Sequence, residues 1–101
     1  MERIMVQAKK VMDEEGKNLT LYYWLLSRRV EDAAGIGITA YGVETAQYDG
    51  EQLLDKECVD CISFKKANML AFIKKIAKGN VTPVTLLPLV DDFISLQEMV
   101  D

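Results

Sequence analysis

The stretch NLTLYYWLLSR, residues 18 to 28, decides the fold. It is rich in aromatic and branched side chains and is flanked by the turn-prone segments EEGKN (14–18) and EDAAG (31–35), a composition and punctuation that read as a β-strand. Alternation puts Leu19, Leu21, Tyr23 and Leu25 on one face and Thr20, Tyr22, Trp24 and Leu26 on the other. Both faces are largely apolar. The plain reading is a central strand, covered by helices on one side and by long side chains or a partner on the other. The sharper reading is that Tyr22, Trp24 and Leu26 form a contact surface for a second copy of the chain or for another protein.

On the C-terminal side, IGITAYGVETAQY (36–48) alternates Thr39, Tyr41, Val43 and Thr45 against Ile38, Ala40 and Gly42. The small residues at 40 and 42 let a helix or a neighbouring backbone approach closely. EDAAG is short enough for a hairpin. A further turn, YDGE (48–51), leads into LLDKECVDC, a weaker strand candidate. On the N-terminal side, Ile4, Met5, Ala8, Val11 and Met12 also match a helix face. A helix there would carry Arg3 near its start and Asp13, Glu14 and Glu15 near its end, against the macrodipole. We therefore read the segment as a strand paired with 18–28.

After Ser63, read as an N-cap, the period lengthens: Phe64, Ala67, Leu70, Ile73 and Ala77 form a stripe that Met69 and Ile76 widen. Lys74, Lys75 and Lys78 fall in the last turns and Gly79 supplies a stop. A second helix is read from Leu86 with Thr85 as N-cap, because Pro88 at the third helical position forfeits no intrahelical hydrogen bond. Leu86, Val90, Phe93 and Gln97 form one row along it, flanked by Leu87, Val90 and Ile94. The expectation is an α+β domain spanning residues 1–101. A four-stranded antiparallel meander (about 3–12, 18–29, 36–48 and 52–61) is followed by two helices (about 64–78 and 86–98) on one face of the sheet.

Composition narrows the function. With 101 residues, half of them apolar, and only eight Gly and Pro, the chain has a globular balance with area for one core. Its most continuous apolar run, LYYWLL (21–26), falls far short of the ~20 residues of a membrane span. The N-terminus MERIMVQAKK has no signal-peptide pattern, so a cytoplasmic address is expected. A net charge of −4 works against sequence-independent attraction to nucleic acid, and the lysine pairs 65–66 and 74–75 read as a solvated helix face. The absence of histidine removes the commonest general base and the commonest zinc ligand.

The one motif with chemical spacing is ECVDCIS (57–63), whose Cys58 and Cys61 form a C-x-x-C. A reactive dithiol needs a stabilised thiolate, and Glu57 and Asp60 disfavour one. In a regular strand residues i and i+3 also point to opposite faces. Proximity of Cys61 to the Ser63 cap is what remains in favour of a redox role. A structural zinc site would need ligands beyond these two, so no metal or cofactor is expected. Asp91 and Asp92 project about 100° apart on a helix and form no dyad. No catalytic set emerges, and the reading is a non-enzymatic interaction or regulatory module, with thiol redox chemistry or small-ligand binding as alternatives.

The segments YYWLL, Tyr41-Gly42-Val43-Glu44, and Val81-Thr82-Pro83 followed by Asp92-Phe93-Ile94 carry a resemblance. The chain, over about residues 18–95, resembles a family of small bacterial proteins, known mainly from anaerobic spore-formers, that share a Y-G-[IV]-E strand and a V-T-P segment ahead of a D-x-[IL] helical tail. The resemblance implies one domain and a cytoplasmic location, and carries no activity with it.

Overall fold

The computed structural model describes residues 1–100, with side chains described through Leu96. Four strands precede two helices: β1 (Glu2–Met12), β2 (Asn18–Glu31), β3 (Gly37–Asp49), β4 (Gln52–Ser63), α1 (Lys66–Lys78) and α2 (Pro83–Val100). The strands pair antiparallel in the order β1-β2-β3-β4, the meander expected from short turns between consecutive strands. The ambiguous first segment is a strand.

The first two hairpins close with the same chemistry. The Asp13 carboxylate accepts the N–H groups of Glu15 and Lys17 at 2.9 and 2.8 Å, and Gly16 turns the chain at φ +82°. Asp32 does the same for Ala34 and Ile36, with Gly35 at φ +79°. An aspartate that satisfies two turn amides, followed by a left-handed glycine, fixes the hairpin and with it the register. Lys17 reaches from the first turn to Asp49 at 2.6 Å, and this hydrogen bond and charge raise the lysine pKa.

Both helices lie on one face of the sheet. α1 contacts all four strands and α2 lies along β4 and β3. The core between the layers is the odd-numbered face of β2, with Leu21, Tyr23 and Leu25, joined by Val43, Met69, Ile73, Ile76, Leu86 and Val90. Phe72 and Phe93 meet between the helices at 4.6 Å between ring centroids.

Helix ends depart from the sequence reading. Ser63 is the last residue of β4 and its Oγ accepts the Lys65 N–H at 3.1 Å; α1 starts at Lys66 behind Lys65, whose side chain makes no cap. Phe64 therefore lies outside the helix and is exposed, and the buried stripe runs through Met69, Phe72, Ile73, Ile76 and Ala77. At the other end Gly79 keeps a negative φ and Asn80 takes the left-handed position at +53°. Hydrogen bonds from Asn80 N to Ala77 O and from Val81 N to Ile76 O complete a Schellman stop. α2 starts at Pro83, not Leu86, because a proline whose φ is already helical suits the first position. Thr85 is inside the first turn and donates both N–H and Oγ–H to the Thr82 carbonyl, each at 3.1 Å. Pro88 thus sits within the helix, and the amide hydrogen it lacks would have served Val84, an exposed residue that water can reach. Leu87, on the flank of the row, is exposed, and the Gln97 side chain lies outside the described residues.

Among the described residues no helix is long and apolar enough to cross a membrane.

Candidate interaction surface

The sheet has a second face. The molecule measures 53 × 28 × 18 Å, and its thin dimension accommodates a sheet and one helical layer; a further layer would add about 10 Å. β2 sends Tyr22, Trp24 and Leu26 to this face, and register places Ala46, Glu44 and Gly42 of β3 beside them. β1 changes parity on the way across. A bulge between Met5 and Gln7 lets Arg3 and Met5 share the face with Ala8, Lys10 and Met12.

An aromatic row runs along the middle. Tyr48 meets Tyr22 edge to face at 5.3 Å, and Tyr22 stacks on Trp24 at 5.6 Å. Arg3 then closes the row: its guanidinium lies 4.3 Å over the Trp24 ring and its Nη1 donates to Glu44 Oε2 at 2.6 Å. One arginine on β1 thereby reaches across β2 to a carboxylate on β3, combining a cation–π contact with an ion pair.

This arrangement corrects the surface drawn from sequence. Trp24 is only 9% exposed and Leu26 only 2%, so neither is a freely exposed anchor; Tyr22 is half-buried. At Gly42, the register partner of Leu26, the backbone of the β4 bulge closes over the sheet, with the Val59 carbonyl oxygen and the Asp60 Cα standing where a β-carbon would be. The large apolar side chains that stand exposed on this face, among the described residues, are Met5 (45%), Met12 (68%) and, by its register with Tyr48, Leu53. Arg3, Glu44 and the methionines were not assigned to this face from sequence, because only the bulge at Val6 puts Arg3 and Met5 on the same side as Ala8 and Met12.

The two thiols are both free and exposed. Cys58 lies across from Glu44 and its N–H donates to Glu57 Oε1 at 3.2 Å. Cys61 sits at φ +54° in a bulge: β3 passes from Val43 to Tyr41 while β4 passes from Val59 to Ser63. The bulge interrupts strict alternation, so the opposite-face expectation does not carry across it. Cys61 also stands four residues before the Lys65 cap, away from the helix start that had been placed at Ser63. Among the described residues, no cluster of three or more His, Cys, Asp or Glu could hold a metal ion.

Fold and surface together define a two-layer α+β protein with one face of its sheet free of helices. The chain belongs to DUF6514, a family of unknown function, whose model matches residues 2–96. No curated protein and no solved structure matches it.

Proposed function

We propose that the protein is a non-enzymatic interaction module of the cytoplasm that pairs with a second copy of itself through the helix-free face of its sheet. The observation that supports this reading is the aromatic row Tyr48–Tyr22–Trp24 on a face with no helical layer, with exposed Met5, Met12 and Leu53 around it. The charges near its centre, Arg3 and Glu44, are already paired within the chain, so packing this face on its equivalent strands no charge at the centre. Lys10 and Lys56 lie on the two edge strands, where they form a solvated rim. An isologous contact of this kind closes as a dimer and stops.

Light scattering after size exclusion tests the reading, run on wild type and on Tyr22→Lys. Tyr22 is half-buried at the middle of the row, and a lysine there places an unpaired charge in the interface. The dimer is expected to weaken by about tenfold or more in the variant.

A further inference from the structure

On the opposite side of the molecule an open groove of about 620 Å³ separates α1 from α2. Its floor is apolar, with Phe72 and Ile76 from α1 and Leu89, Phe93 and Leu96 from α2. Phe72 is buried, Phe93 half-buried and Leu96 exposed, so the apolar lining continues from core to solvent. The volume falls within the ~300–1,000 Å³ typical of built binding pockets.

The two walls carry opposite charge. Residues 65–78 contain five lysines and no acid, whereas residues 83–96 contain two acids and no base. Lys75 from α1 and Asp92 from α2 line the groove itself, and the neighbouring Lys74, Lys78 and Asp91 are exposed. A polyanion drawn to the lysine wall would meet Asp92 across the gap. The split favours a ligand that is acidic on one flank and basic on the other. Length narrows the choice further. The lining runs from Asn68 to Ile76 on α1 and from Leu89 to Leu96 on α2. At a rise of about 1.5 Å per residue these spans are roughly 12 and 10.5 Å of helix, enough to cover apolar positions i, i+4 and i+7 of a third helix.

We propose that this groove binds an amphipathic helix of a protein partner, apolar at i, i+4 and i+7, acidic on the flank that meets α1 and basic on the flank that meets α2. The site is separate from the sheet face and stands whether or not the chain dimerises there.

The test uses a fluorescein-labelled synthetic peptide of about four turns, with leucines at those positions, glutamates on one flank and lysines on the other. Fluorescence anisotropy against wild type is expected to show saturable binding. Leu96→Asp and Lys75→Glu, both at exposed positions, weaken it by about tenfold or more while leaving the circular dichroism spectrum unchanged. A peptide with the two flanks exchanged binds wild type weakly and binds the double variant Lys75→Glu/Asp92→Lys better than wild type, a reversal that a merely structural role of these residues would not produce. Absence of saturable binding overturns the proposal. So does equal affinity for both peptides, or tighter binding to a single-stranded oligonucleotide or to phosphatidylglycerol vesicles than to the peptide.

Discussion

The Tyr23 hydroxyl donates a 2.7 Å hydrogen bond to the carbonyl oxygen of Val81, tying the middle of β2 to the connection between α1 and α2. Tyr23 is fully buried, and burial pushes its phenol up to about 12. The unfolded phenol ionises near ~10. Because the folded form holds its proton more tightly, the contribution is complete below pH ~10 and is lost as pH rises from there to about 12. Tyr23→Phe is expected to cost about 1–2 kcal/mol at neutral pH, since it leaves the Val81 carbonyl without this donor. Urea unfolding across the alkaline range should show wild-type stability falling above pH ~10, with a shallower fall in the phenylalanine variant.

The bulge of β4 explains a glycine and exposes a strain. A Cβ on Gly42 would stand 2.2 Å from the Val59 carbonyl oxygen and 2.6 Å from the Asp60 Cα, both backbone atoms that cannot swing aside. Gly42→Ala should therefore destabilise the fold by about 3 kcal/mol, at the upper end of overpacking costs. Cys61, held at φ +54° in the same bulge, pays the penalty of a left-handed β-carbon. Cys61→Gly is expected to gain about 0.5–1 kcal/mol after the added flexibility of the unfolded chain is subtracted. Thermal or urea unfolding of the two variants reads opposite signs at two positions that face each other across one irregularity.

Thr45 is fully buried on the helix-covered side of β3, and among the described residues its Oγ1 has no hydrogen-bond partner. Valine has nearly the same shape without the unpaired hydroxyl, and β-branching suits the strand. Thr45→Val should raise the urea midpoint, corresponding to roughly 1 kcal/mol, with an unchanged slope.

Lys9 extends from the edge strand β1 and donates from Nζ to the Ala77 carbonyl at 2.9 Å, in the last turn of α1. It serves as a cationic cap supplied by another element, placed where the helix dipole is negative. Lys9→Met keeps the aliphatic stem and removes the charge. The expected loss is about 1 kcal/mol, part of it screened by salt, which unfolding at low and high ionic strength resolves.

The sheet was legible because its signals are local. β2 alternates between two apolar faces and is bracketed by the turn-prone segments EEGKN and EDAAG, so its pairing with both neighbours follows from chain order. The bulges at Val6 and around Cys61 were not legible, since each depends on how two strands share a twist, and they decide which β1 residues reach the helix-free face and why residue 42 is glycine. The helix starts were misplaced for a related reason. Ser63 looks like a cap by residue type, but the bulge prolongs β4 through it, and Pro83 outweighs Thr85 as the point where α2 begins. Tyr22, Trp24 and Leu26 were placed on the correct face, while their cover was not visible. Arg3 lies 21 residues from Trp24 in the chain and reaches it only once the register of β1 is set.

The central claim, that the helix-free sheet face joins two copies of the chain, is tested most directly by light scattering across a concentration series of the wild-type protein. The account predicts a mass approaching twice the chain's 11.4 kDa as concentration rises, reverting toward one chain in Tyr22→Lys. A wild-type mass of a single chain at every concentration up to the solubility limit would contradict it.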